Sequence, residues 1–263
     1  MERERLLSHT TGADRILASR ILDHAELSLK RAIPVETDFL DPHEQEVAKD
    51  LLHFVPEVKF LVFGGYRKAE RQRLVLAPSF YLTESIEPPL AFFSIKALAG
   101  KQGEAAFGHR DVLGSLLGLG LKREKIGDIL ITADEAQIII AEEIGGFVLA
   151  HLDKVGAVRV KIDRIDPEQL NTPPERIKEI KTTVASLRLD AVASLGFGIS
   201  RTRTAREIKA EKVKVNWRST TNPDYQVKVG DVLSIKGRGR VVVAETTGLS
   251  KKGRIGIILK KLI

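Results

Sequence analysis

Between positions 201 and 214 the sequence sets six cationic side chains in one short run: Arg201, Arg203, Arg206, Lys209, Lys212 and Lys214. Ser200 just before them is a good helix cap. If it opens a helix over Arg201–Lys209, the 100° step puts Arg203 and Arg206 on one face, roughly opposite Ala205 and Ile208. Small apolar residues then pack inward and guanidinium groups point outward. Guanidinium forks match phosphate oxygens two at a time, and the helix N-terminus adds amide donors and a positive dipole end. The chemistry this spacing allows is the gripping of a polyanion. Lysine, a hydrated point charge, should contribute less per residue.

Covalent chemistry has much thinner support. His9, His24, His43, His53, His109 and His151 are scattered, with no His-x-x-x-His or His-x-His pair, so no convergent metal site is expected. The chain has no cysteine, which excludes disulfides, thiolate zinc, iron–sulfur ligation and a thiol nucleophile. In His109-Arg110-Asp111, the acid fits the first turn of a helix better than a reaction. Arg110 and the Lys122–Lys125 loop could grip RNA, with a solvated charge run as the first reading there; for the basic loop Arg67–Arg73 an RNA contact and a plain hairpin tip stand level. Gly237-Arg-Gly-Arg240 lacks the strand–glycine–helix setting and the lysine of a nucleotide loop. No Ser-His-Asp order or paired-carboxylate site can be assembled. The expectation is a protein without catalytic residues, metal or cofactor.

These side chains must be positioned by 263 residues, 43% hydrophobic and 29% charged, enough for two or three domains with real cores. No apolar run approaches membrane-spanning length. The opening Met1-Glu-Arg-Glu-Arg lacks the apolar stretch of a secretory signal, so a soluble, cytoplasmic protein is expected. The net charge of +7 is unevenly placed. Residues 181–263 carry 18 Lys+Arg against 6 Asp+Glu, a surplus of +12, while residues 1–180 balance at −5. That asymmetry points to a nucleic-acid-binding module joined to an acidic body.

The fold expected is α+β in three parts. Residues 1–87 read as helices plus a β-hairpin. One helix has the stripe Ile16, Leu17, Ile21, Leu22 and Ala25, and a second opens at Asp41-Pro42-His43-Glu44 with Val47, Leu51 and Phe54 buried and Pro56 at its end. Strands at 59–66 and 73–77 follow. Residues 88–166 alternate as strand, helix, strand, strand, helix, strand (91–96, 110–119, 128–132, 136–141, 142–153, 158–165), the ferredoxin-like β-α-β-β-α-β order that RNA-recognition motifs share. Helix 110–119 should bury Val112, Leu113, Leu116 and Leu117, with Gly114 and Gly118 allowing close packing. Those motifs stack bases on aromatic residues of the central strands. Here only one of Phe92 and Phe93 could face outward, so base stacking is not assigned.

Residues 167–183 read as a proline-marked linker, and 184–263 as the basic module. It should hold two short helices, 188–195 and 201–209, then strands at 212–216, 225–229, 232–236 and 254–259. Trp217, the sole tryptophan, reads first as a partly buried sheet residue, with a platform for an RNA base as the sharper alternative.

The ordered series Arg188-Leu-Asp190, Ile199-Ser-Arg-Thr-Arg203, Ile208, Val213-Lys-Val-Asn216 and Gly230-Asp-Val-Leu233 resembles the S-four RNA-binding domain, named after the fourth small-subunit ribosomal protein. Glu211 stands where glycine is common in that domain, and Trp217 where many such domains place glycine after the asparagine. Phe63-Gly-Gly-Tyr-Arg-Lys-Ala-Glu-Arg71, Gly108-His-Arg-Asp-Val-Leu-Gly114 and Lys122-Arg-Glu-Lys-Ile-Gly-Asp128 extend the resemblance to the YlmH family over nearly the whole chain. The resemblance implies a non-catalytic factor that binds rRNA and peptidyl-tRNA on the large ribosomal subunit in rescue of stalled nascent chains. Roles in cell division or photosystem assembly have also been attached to the family. Arg188-Leu-Asp190 faintly echoes pseudouridine synthases, some of which carry S-four domains, but the rest of their pattern does not follow. A monomer is expected. The RNA-contact set is Arg188, Ser200, Arg201, Arg203, Arg206, Lys209, Lys212, Lys214, Arg238 and Arg240.

Overall fold

A computed structural model describes residues 3–8, 10–82, 86, 88–98, 106–172, 177–250 and 253–262. The chain divides into two units, Met1–Pro173 and Pro174–Ile263. His9, the boundary at residue 87 and the prolines of the expected linker at 173–174 lie outside the described residues.

The first unit opens with α1 (Arg3–Leu7), α2 (Gly12–Arg31), β1 (Val35–Glu36), α3 (Pro42–Leu52), β2 (Val58–Phe63) and β3 (Arg73–Pro78). α3 starts where a capping box dictates: the Asp41 carboxylate accepts the Glu44 amide while the Glu44 side chain accepts the Asp41 amide. It ends at Leu52, before Pro56, and Phe54 is exposed, as is Ile16 on α2. The buried stripe uses Gln45, Ala48, Leu51 and Leu52 instead. β1, β3 and β2 form a small antiparallel sheet under these helices.

The same unit continues through β4 (Leu90–Ala97), α4 (His109–Gly118), β5 (Ile126–Ile131), β6 (Ala136–Ala141), α5 (Gly145–His151), the short β7 (Lys154–Val155) and β8 (Val158–Arg164). The sheet order β5-β6-β4-β8-β7 puts the first and third strands of the split β-α-β at the centre, as the ferredoxin-like arrangement requires. α4 buries Val112 and Leu116, whereas Leu117 is exposed and Gly114 and Gly118 face open space, so they permit no close packing.

Both faces of this sheet are covered. Phe93, Ile95, Ile138 and Ile140 join the core beneath α4 and α5. On the other face Phe92, Ile139 and Ala141 pack with Phe39, Phe63 and Tyr66. Gly65, at a φ of 93°, lets the β2–β3 turn descend on this layer, since a Cβ there would meet Phe92 at 2.7 Å. Neither Phe92 nor Phe93 faces outward, for a reason invisible in local sequence: the helix–hairpin segment roofs the strands.

The second unit contains β9 (Ile177–Val184), α6 (Leu189–Phe197), α7 (Arg201–Lys209), β10 (Val213–Val215), β11 (Arg218–Ser219), β12 (Val232–Ile235), β13 (Gly239–Leu249) and β14 (Ile255–Leu262). Its six-stranded sheet runs β11-β10-β12-β13-β14-β9. The expected linker is corrected here, because β9 pairs antiparallel with β14 along its whole length, from Ile177↔Leu262 to Val184↔Ile255. β9 shows only Val184 fully buried, so its composition resembles a solvated connector; the pairing partner, some eighty residues away, makes it a strand. β13 was not foreseen, and 225–229 is no strand; it adds one bridge, Arg188↔Gln226. Leu189, Val192, Ala193 and Phe197 of α6, with Ile208 of α7, close the core over Val213, Leu233, Val241 and Leu259.

Candidate RNA-binding surface

α6 ends at Gly198, whose left-handed φ of 65° turns the chain so that Ser200 can cap α7. The Ser200 hydroxyl accepts the Arg203 amide at 3.3 Å, and the Thr204 hydroxyl donates back to the Ser200 carbonyl. Thr204 and Ile208, four residues apart, are the fully buried side of α7. The packing face is therefore Thr204/Ile208 rather than Ala205/Ile208: the threonine hydroxyl is satisfied within the helix, which lets it sit inside. Arg203 and Arg206 remain exposed as expected.

Asp190 organises the approach to this helix. It is buried, and both Arg188 and Arg201 grasp it side-on through Nε and Nη2 at 3.0–3.2 Å. Arg188 also pairs with Asp224. Burial alone would raise the Asp190 carboxyl, but the two guanidinium groups outweigh it and hold the group below the ordinary carboxylate range. Arg201 nevertheless keeps 54% of its side chain exposed, and its Nη1 edge is turned away from Asp190. Arg188 is the more enclosed of the two.

Glu207 is a second organiser, which the sequence reading did not single out. It accepts Arg203 Nε at 3.3 Å and lies 3.5 Å from Arg238 Nη2, so residues from a helix and a strand-connecting turn converge on one carboxylate. The signal available was the Arg203–Glu207 spacing of four. Arg206 has no ion-pair partner among the described residues. Lys209, Lys212 and Lys214 are exposed, with Lys214 alternating against the buried Val213 and Val215 of β10. Arg240 is half-buried on β13, opposite Ser234 and Leu262. The ten expected residues thus split into a clasp (Arg188 and Arg201 on Asp190, Arg203 and Arg238 on Glu207), the Ser200 cap, four exposed cations (Arg206, Lys209, Lys212 and Lys214) and the half-buried Arg240.

The basic loops of the first unit are differently placed. Arg73 is fully buried and donates to the Thr37 and Pro89 carbonyls and to Glu143. Arg71 donates to the carbonyls of Phe39 and Ile126. Asp128 accepts the amides of Glu70 and Arg71 and the Tyr66 hydroxyl. Arg123 turns inward to the carbonyls of Ile126 and Gly127, and burial, followed by the charge of Arg71, pushes it down to about 10. Lys125 bridges Asp38 and Glu143. Of these two loops only Arg67, Lys68 and Lys122 extend basic side chains into solvent.

Among the described residues no group of three His, Asp or Glu is placed to hold a metal ion, and no helix is long and apolar enough to cross a membrane. Asp111 caps α4, accepting the Gly108 amide.

Comparison with known proteins agrees with this arrangement. A family model for the N-terminal region of YlmH matches residues 13–81, one for an RNA-binding domain in YlmH matches 94–169, and the S4 domain matches 187–233. Ribosome-associated protein quality control protein P2 of Bacillus subtilis is 37% identical over 218 residues, 83% of each protein. Small ribosomal subunit protein uS4 of Azotobacter vinelandii is 36% identical over 72 residues, 26% of this chain and 35% of its own length. A solved structure titled cell division protein ylmH, from Streptococcus pneumoniae, superposes with a TM-score of 0.53 at 20% identity, covering 62% of this chain and 98% of that one, and so shares the fold. With that breadth of identity to the Bacillus protein, the chain belongs to the YlmH family.

Proposed function

We propose that this protein is a non-catalytic RNA-binding factor that works in the cytoplasm on the large ribosomal subunit, gripping rRNA and tRNA through its C-terminal unit. The observation that carries the reading is α7, whose inner face is fixed by Thr204 and Ile208 while Arg203 and Arg206 stand in solvent, in a segment with a +12 surplus. Arg201, Lys209, Lys212 and Lys214 extend the contact. Arg188 and Arg238 hold the clasp that aims it, and Arg240 lies on the adjoining strand. The relative named for ribosome-associated quality control supports the ribosome as the site of action. Contacts of this kind follow the phosphate backbone and are weakened by salt through counterion release.

The test is a sucrose-gradient profile of a lysate expressing the tagged protein. Co-migration with the large subunit at low salt is the expected result. Residence in the soluble or membrane fractions alone would overturn the reading in favour of a scaffold.

A further inference from the structure

Asn216 and Trp217 are the two central residues of the β10–β11 hairpin, flanked by the pairs Val215↔Arg218 and Lys214↔Ser219. Both have positive φ, 47° and 64°, the type I′ geometry favoured in two-residue hairpins. Asparagine suits its place and is pinned there: its Nδ2 donates to Asp231, its Oδ1 accepts the Val232 amide, and its own amide donates to the Val232 carbonyl, each at 2.9 Å. The second position ordinarily belongs to glycine, because a Cβ in the left-handed region crowds the neighbouring carbonyl. Here it carries the bulkiest side chain of all.

The core of its unit does not account for that choice. Trp217 is half-buried and does not belong to the set of side chains packed on the core of its unit. The hairpin is cationic, with Lys214 on β10 and Lys212 just before it both exposed. A strained aromatic held by an over-determined turn, beside exposed ammonium groups, is the composition of a stacking platform.

We propose that Trp217 is a nucleobase-stacking site. The indole face receives an unpaired base while Lys212 and Lys214 hold the adjoining phosphates. This rests on the RNA-binding reading and deepens it: the α7 arginines answer to phosphate charge, present in any RNA, whereas a stacking face selects RNA with unpaired bases over fully paired duplex.

The sole tryptophan reports on itself. The full chain is titrated with a stem-loop RNA and with a fully paired duplex, following Trp emission and the anisotropy of the labelled RNA together. The stem-loop should quench emission and the duplex should quench it far less. Trp217→Gly gives the turn its preferred residue, so the melting temperature should hold or rise while stem-loop affinity falls on the order of tenfold or more and duplex affinity stays level. Trp217→Phe should restore most of the stem-loop affinity. Stem-loop binding with unchanged emission, undiminished affinity in Trp217→Gly, or a lowered melting temperature with both RNAs weakened alike would each overturn the platform. Flat anisotropy with both RNAs would overturn the RNA-binding reading itself, and the platform with it.

Discussion

Arg71, Arg73, Arg123 and Lys125 of the first unit and Arg201, Arg203, Arg206 and Lys209 of the second stand in equally basic stretches of sequence. The first four are spent on the fold, their donors turned to backbone carbonyls, Asp38 and Glu143. The others line an exposed helix where, among the described residues, only Asp190 and Glu207 answer them. The difference lies in the supply of acceptors. Residues 1–180 hold 29 acids for 24 bases, and 181–263 hold 6 for 18. Asp38 and Glu143 serve Lys125 and Arg73, while Arg71 and Arg123 are held by carbonyls that the turns bring to them; on α7 the arginines are left facing solvent, available to a polyanion.

Arg73→Ala should break the comparison on the structural side and have the largest stability effect. It strips the Thr37 and Pro89 carbonyls of their donor and Glu143 of a cation, at a cost of about 3–5 kcal/mol. The first unit should melt roughly 10 °C lower in calorimetry, with RNA affinity at permissive temperature unchanged. Reduced affinity without destabilisation would show that this loop serves RNA after all.

Asp190→Asn should come next, at about 2–3 kcal/mol, by leaving two arginines without their shared carboxylate. Because the folded carboxyl is held below its ordinary value, its stabilisation is present at neutral pH and is lost as acid carries the pH down through about 4 toward that lowered value. The parent's C-terminal unit should therefore weaken in acid more steeply than the variant, as urea midpoints across pH would show. Parallel acid limbs would remove the clasp from the account.

Cutting the chain sharpens the contrast between the units. Residues 174–263 should bind structured RNA and 1–173 far more weakly, by filter binding at low salt. A cut at 184 should instead unfold the module, since it deletes the whole of β9 except its last residue. Smallest are the single lysines: Lys209→Ala, Lys212→Ala or Lys214→Ala should each change stability by less than about 0.5 kcal/mol and weaken RNA binding by a few-fold at most.

Much of this was legible in the sequence. The α7 arginines, the Ser200 cap and the charge split needed only helical spacing and counting, and the ferredoxin-like order followed from alternating patterns. What escaped depended on distant partners. β9 is a strand because of β14, the roof over Phe92 comes from the hairpin turn at Gly65, and Arg71, Arg73 and Arg123 are turned inward by carbonyls that no local pattern reveals. Trp217 and Glu211, both at positive φ, occupy positions where the resemblance to the S-four domain leads one to expect glycine. That signal was visible as a departure, but its turn geometry was not.

The central claim is that α7 presents Arg203 and Arg206 to RNA without needing them for folding. Arg203→Ala with Arg206→Ala, titrated against rRNA between ~50 and ~200 mM salt alongside the parent, tests it most directly. The account predicts an unchanged melting temperature, affinity lower on the order of tenfold or more, and a salt slope reduced by about one unit per arginine. An unfolded variant, or one that binds with the parent's affinity and slope, would contradict it.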